Sequence, residues 1–145
     1  MTAVDPRVLI VEGDETLRRR LYGRLLDLDI FSDPVSTGKD ALEHLSARPY
    51  AVIVLDLAIS DVAATQVLEF VSGLTAARPV VIAIASGENL RKLDTEVVQI
   101  VVRHPIRLSS LVELVESCCR QAAGTQSPVK ASGPTKKNGD RVPDA

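Results

Sequence analysis

The stretch "YAVIVLDLAISD", residues 50–61, places five apolar residues, Ala51 to Leu55, directly before the carboxylate of Asp56. A carboxylate that ends such a run can attack an electrophile, hold a hard cation, or accept hydrogen bonds from the amides of the next turn. The same junction occurs earlier, where "VLIV" at Val8–Val11 meets Glu12, Gly13 and Asp14. Two further apolar runs also end on polar groups: Val80–Ala85 is followed by Ser86, and Ile100–Val102 by Arg103, His104 and Pro105. Elsewhere the chain offers little chemistry. No Ser-His-Asp, Cys-His or paired-metal arrangement appears outside these junctions. Cys118 and Cys119 are adjacent, so they cannot close a useful loop and lack ligand spacing; reduced, partly buried thiols are expected. His44 has no second histidine or cysteine at ligand spacing and is assigned to the surface.

The elements that must position these groups follow from hydrophobic patterning. The four runs are short and β-branched, as strands buried on both faces of a parallel sheet are. A fifth strand is predicted at Ile30–Val35, at a sheet edge because Pro34 cannot donate to a ladder. Helical faces lie between the strands: Leu17, Leu21, Leu25 and Leu28, then Ala41, Leu42 and Leu45, then Val67, Val71 and Leu74, and last Leu111, Val112, Val115 and Cys118. "SLVE" at Ser110–Glu113 has the form of a capping box and marks the expected start of the last helix. Alternating β and α elements imply right-handed crossovers and a doubly wound α/β sheet, with the site beyond the carboxyl ends of the strands. Glu12 and Asp56 both fall there.

With 145 residues, 46% hydrophobic and 3% aromatic, the chain has aliphatic material for one ordinary core, assigned to residues 1–121. Residues 122–145 contain three prolines and almost no large apolar side chain and are expected to form a disordered tail. The net charge of -2 gives no broad footprint for nucleic acid or an anionic membrane. No segment reaches the roughly 20 apolar residues of a bilayer span, and "MTAVDPR" lacks the features of a signal peptide, so a cytoplasmic location is expected. The arginines of "LRRRL" at Leu17–Leu21 give the first helix an exposed cationic face, usable for docking.

"VLIVEGDETLRRRL", "TGKDALEHL", "YAVIVLDLAISD", "PVVIAIAS" and "HPIRLSSLVELV", in this order and spacing, resemble the receiver domain of bacterial two-component response regulators, over about Arg7 to Arg120. The resemblance implies a five-stranded parallel sheet of flavodoxin-like order 2-1-3-4-5. It aligns Asp56 with the phosphoacceptor and Glu12 with the first acid of a Mg²⁺-binding pair, while the second acid aligns with Gly13. Asp14 is then either a substitute ligand or the cap of the first helix. Ala85, or Ile84 under a one-residue shift, stands where the family has Thr or Ser, with Ser86 the nearest hydroxyl. His104 replaces the family's lysine before Pro105, whose peptide is cis in the family. Val101 replaces the switching aromatic, and the segment from Ala85 to His104 is a few residues short, implying a trimmed fourth helix.

The function implied is that of a stand-alone receiver domain in phosphorelay signalling, not an independent enzyme, partnered by a sensor histidine kinase or other signalling protein. The departures at Gly13, Ala85, Val101 and His104 raise the alternative of a pseudo-receiver that binds partners without phosphorylation. A flavodoxin-like cofactor binder is a third alternative, disfavoured because "EGDET" is acidic where a phosphate-cradling loop needs amides and hydroxyls.

Overall fold

The structure, a computed structural model, describes residues 7–86 and 96–125. In chain order the elements are β1 (Arg7–Val11), α1 (Glu15–Asp27), β2 (Phe31–Val35), α2 (Gly38–Ala47), β3 (Val52–Asp56), α3 (Asp61–Ser72), β4 (Val80–Ala85), β5 (Val98–Arg103) and α4 (Leu108–Thr125). The five strands form one parallel sheet in the order β2-β1-β3-β4-β5, the expected doubly wound arrangement. Strand alternation splits the core in two. Leu9, Val11, Ile53, Leu55, Val81, Ala83 and Ala85 face α2 and α3, where Ala41, Leu45, Val67 and Val71 complete the layer. Val8, Ile10, Val52, Val54, Ile82 and Ile84 face α1 and α4, against Leu21, Leu25, Leu111, Val112, Val115, Cys118 and Cys119. Among the described residues, no helix is long and apolar enough to cross a membrane.

β2 is an edge strand. Its Val35 carbonyl accepts from the Glu12 amide at 3.1 Å, which turns the backbone groups of Ser32 and Pro34 outward, and Pro34 has no N–H to offer there. The edge is thereby a poor template for another strand. At the amino end of the sheet, Asp33 of β2 accepts from the Tyr50 hydroxyl at 2.6 Å and from Arg7 at 3.2 Å, with Arg48 at 3.7 Å. Burial and the neighbouring Asp33 carboxylate push the Tyr50 phenol well above its ordinary pKa. This network ties β1, β2 and the start of β3 together at the end remote from Asp56.

Four local expectations are corrected. Leu28 is not on the buried face of α1 but caps its carboxyl end, 43% exposed, because the helix stops at Asp27. Leu74 lies beyond α3, which ends at Ser72 with Gly73 as cap. The last helix does not begin at the "SLVE" box. It starts at Leu108, and the Leu111 amide bonds to the Arg107 carbonyl, so Ser110 lies inside the first turn. That helix also continues to Thr125, past the boundary expected at residue 121, because Gln121, Ala122 and Ala123 are good helix formers. Residues 126–145 of the expected tail, and residues 87–95, which hold the expected trimmed helix, lie outside the described residues.

β5 is longer than Ile100–Val102 and alternates buried and exposed, as an edge strand does. It carries an irregularity: Val81 pairs with Val98 but Ile82 pairs with Ile100, leaving Gln99 as the extra residue. The Gln99 side-chain oxygen accepts from the Val81 amide at 2.8 Å and so satisfies the donor next to the irregularity. Gln99→Ala should therefore lower the unfolding free energy by about 1–2 kcal/mol, the cost of a part-buried amide left unpaired, whereas Gln99→Glu, which keeps an acceptor, should lose less. Urea denaturation of the three proteins measures the difference.

Candidate functional site

β1 and β3 are adjacent and in register through Val11 and Leu55, so the residues that follow, Glu12 and Asp56, meet at the carboxyl end of the sheet. Both are buried, at 3% and 6% exposure. The backbone around each is pinned. The Glu12 amide donates to the Val35 carbonyl at 3.1 Å, and the Arg18 guanidinium donates to the Glu12 carbonyl at 2.9 Å. Glu12 Oε2 accepts from the Asp14 amide at 3.1 Å, and Asp56 Oδ1 accepts from the Ala58 amide at 2.9 Å.

Glu12 Oε1 is buried and receives no hydrogen bond from a protein donor. Burial first, and then the neighbouring Asp56 carboxylate, raise the Glu12 pKa to about 8. Glu12 therefore carries its proton near neutral pH.

The other residues singled out in the sequence are dispersed around this pair. Asp14 caps α1: its Oδ1 accepts from the amides of Thr16 at 2.9 Å and Leu17 at 3.2 Å. Gly13 leaves the family's second acidic position empty for no steric reason, since a Cβ built there would meet only Ile59 Cγ2, at 3.8 Å. The register partner of Asp56 is Ile84, and the Leu57 amide donates to the Ile84 carbonyl at 3.0 Å. Ala85 faces the opposite layer with Val11 and Leu55, so of the two positions considered it is Ile84 that shares the Asp56 face. Ser86 is exposed beyond the strand end. Val101 is 39% exposed opposite Ala83 on β5. His104 is exposed; its amide donates to the Ala85 carbonyl at 3.2 Å, and its imidazole makes no ion pair with Asp56. The His104–Pro105 peptide is cis, as the resemblance implied.

A hard divalent cation fits this donor set poorly. Glu12 and Asp56 supply two carboxylates, the Asp14 carboxylate is engaged at the helix end, and among the described residues no group of three or more His, Cys, Asp or Glu side chains converges on a metal position. His44 Nδ1 pairs with the Asp40 carbonyl one turn back at 2.9 Å, within its own helix. The "LRRRL" run divides its labour: Arg18 reaches back to the site loop, while Arg19 pairs with Glu15 at 3.2 Å on the surface. Sequence alone left unmarked both the raised pKa of Glu12 and the choice of Arg18 from three neighbouring arginines.

The raised Glu12 pKa has a measurable consequence. Unfolded Glu12 titrates near 4.5 and folded Glu12 near 8, so between those values the folded state binds more protons. The stabilisation from this group is complete below about pH 4.5 and is lost as pH rises through 8. The melting temperature should fall from pH 5 to pH 8.5, and Glu12→Gln, which keeps a neutral donor beside Asp56, should flatten that slope. A scan of wild type and variant that gives parallel curves would contradict the raised Glu12 pKa. The thiols shift in the same direction: burial raises Cys118, and burial with the neighbouring charges raises Cys119 to about 11. Both should resist alkylation at pH 7 in the native protein and react once denaturant is added, as counted by intact mass.

No family model matches the sequence, and no curated protein does either. Solved structures do match. A response regulator receiver domain (CheY-like) from Methylobacillus flagellatus aligns with TM-score 0.64 at 24% identity, over 79% of this chain and 99% of that one. A response regulator receiver protein from Burkholderia phymatum aligns with TM-score 0.66 at 20% identity, over 79% and 95%. A streptococcal structure described as a redox sensor evolved from two-component response regulators gives TM-score 0.75 at 20% identity, over 88% of this chain and 56% of that one. At these identities the likeness is one of architecture: the chain has the fold of response regulator receiver domains.

Proposed function

We propose that the chain is a receiver-like signalling domain of two-component phosphorelay type, with Asp56 as the phosphoacceptor. The observation that carries this is the placement of Asp56, buried at the carboxyl end of the central strand β3 beside Glu12 and seated on the Ala58 amide. In the reaction an Asp56 carboxylate oxygen attacks phosphorus, the bond from phosphorus to the donor breaks, and an acyl phosphate forms. The donor is a phosphohistidine of a sensor kinase or another phosphorylated signalling protein. A protonated Glu12 removes one of the two negative charges that an incoming phosphoryl group meets.

A second reading is a pseudo-receiver that binds its partner without phosphorylation. It is favoured by the group that shares the Asp56 face on β4, the hydrocarbon of Ile84, and by the exposed His104 that leaves Asp56 without an ion pair from that turn. Neither can supply the hydroxyl or permanent cation that would distinguish a phosphorylated from an unphosphorylated state. Mg²⁺ would hold less firmly here than between two acids and the acceptor, since Gly13 contributes no carboxylate.

Intact-mass spectrometry with acetyl phosphate and Mg²⁺ tests the first reading. Slow, substoichiometric addition is expected for the wild type and none for Asp56→Asn. The double variant Gly13→Asp with His104→Lys should accept phosphate faster, because the space beside Gly13 admits the side chain and the lysine restores a permanent cation. Rapid stoichiometric uptake by the wild type would show the altered positions to be harmless. No uptake by either protein would leave the pseudo-receiver as the function.

A further inference from the structure

We propose that Gly38 is a positioning residue for Asp56, acting through the first turn of α3. Gly38 opens α2 and is buried where α2 and α3 pack side by side. A Cβ built on it would lie 2.6 Å from the Ala63 Cβ and 3.2 Å from both Cα and O of Ala63. Contact that short with backbone cannot be absorbed by a side-chain rotation, so any residue larger than glycine must push the start of α3 away from α2.

The displaced turn is joined to Asp56 by a short, fully bonded path. The Ala63 amide donates to the Ser60 hydroxyl at 2.9 Å, and the Ala64 amide to the Ser60 carbonyl at 2.9 Å, so Ala63 and the cap Ser60 move together. Ser60 closes the four-residue loop from Leu57, in which the Ala58 amide donates to Asp56 Oδ1 at 2.9 Å and the Ile59 amide to the Asp56 carbonyl at 3.3 Å. The Ile59 side chain of that loop is also the group nearest the open side of Gly13. The absent side chain of Gly38 thus fixes how far the Leu57–Ser60 loop sits from β1, and with it the seat of the Asp56 carboxylate. Glycine's usual licence for a left-handed backbone plays no part here; what matters is the missing Cβ.

The inference rests on taking Asp56 as the functional carboxylate, but its test needs no phosphodonor, so failure of the phosphoacceptor reading and failure of the positioning role are separable. Native-state amide exchange on the full chain compares the Ala58 amide, which reports the Asp56 contact, with the Val54 amide inside β3. Gly38→Ala should speed exchange at Ala58 by about tenfold or more beyond any change at Val54. Adding Ala63→Gly, which removes the closest of the clashing atoms, should return Ala58 toward the wild-type rate. Equal acceleration at both amides would mean that Gly38 serves packing alone and would overturn the proposal, as would an unchanged Ala58. Should Gly38→Ala fail to fold, the double variant carries the test: native protection at Ala58 supports the positioning role, whereas an unprotected Ala58 in a folded double variant, or a double variant that does not fold, refutes it.

Discussion

Two carboxyl groups buried side by side at the end of an apolar sheet cannot both be ionised unless a cation joins them, and the rest of the site is arranged around that constraint. Adjacent parallel strands in register bring Glu12 and Asp56 together whether or not their charges agree. The molecule answers with a proton held on Glu12, an amide for one oxygen of each, and backbone bonds that keep the two turns from spreading. This is a neutralisation that water can reverse as pH rises. A site with three acids would bind a divalent cation in the same place, and the proton and the cation would compete for it.

Much of this was legible in the sequence because it is enforced by short-range pattern. β-branched runs too short for helices marked four of the strands, and Pro34 marked the fifth, at Ile30–Val35, as an edge strand, since a missing donor inside a strand fits best where no neighbour needs it. Asp14 as a cap was readable from its position just before the first helix. The groups that sequence could not resolve depend on pairing between distant segments. Whether Ile84 or Ala85 shares the Asp56 face is decided by the register of β4 on β3, and a slip of one residue exchanges the two faces. The "SLVE" pattern failed because a capping box is a local signature, and α4 is already under way at Leu108, with the Leu111 amide bonded to the Arg107 carbonyl. The reach of Arg18 back to the Glu12 carbonyl, and the Gly38–Ala63 contact, leave no pattern in the sequence at all.

The placement of the altered positions bears on whether such a domain can switch. A covalent phosphoryl group shifts a conformational equilibrium only by its differential interaction with the two states. In the described structure the groups at these positions offer little of that difference to a group on Asp56: Ile84 offers hydrocarbon, Ala85 lies on the other face, Val101 is exposed, and the His104 ring makes no ion pair with Asp56. Each missing charge-assisted hydrogen bond withholds roughly 1.5–3 kcal/mol, and two or three of them equal the few-kcal/mol gap of an ordinary two-state switch. Under that linkage, restoring one polar group recovers only part of the coupling, because the acceptor, the hydroxyl and the cation contact the same phosphoryl oxygens and their contributions are not additive.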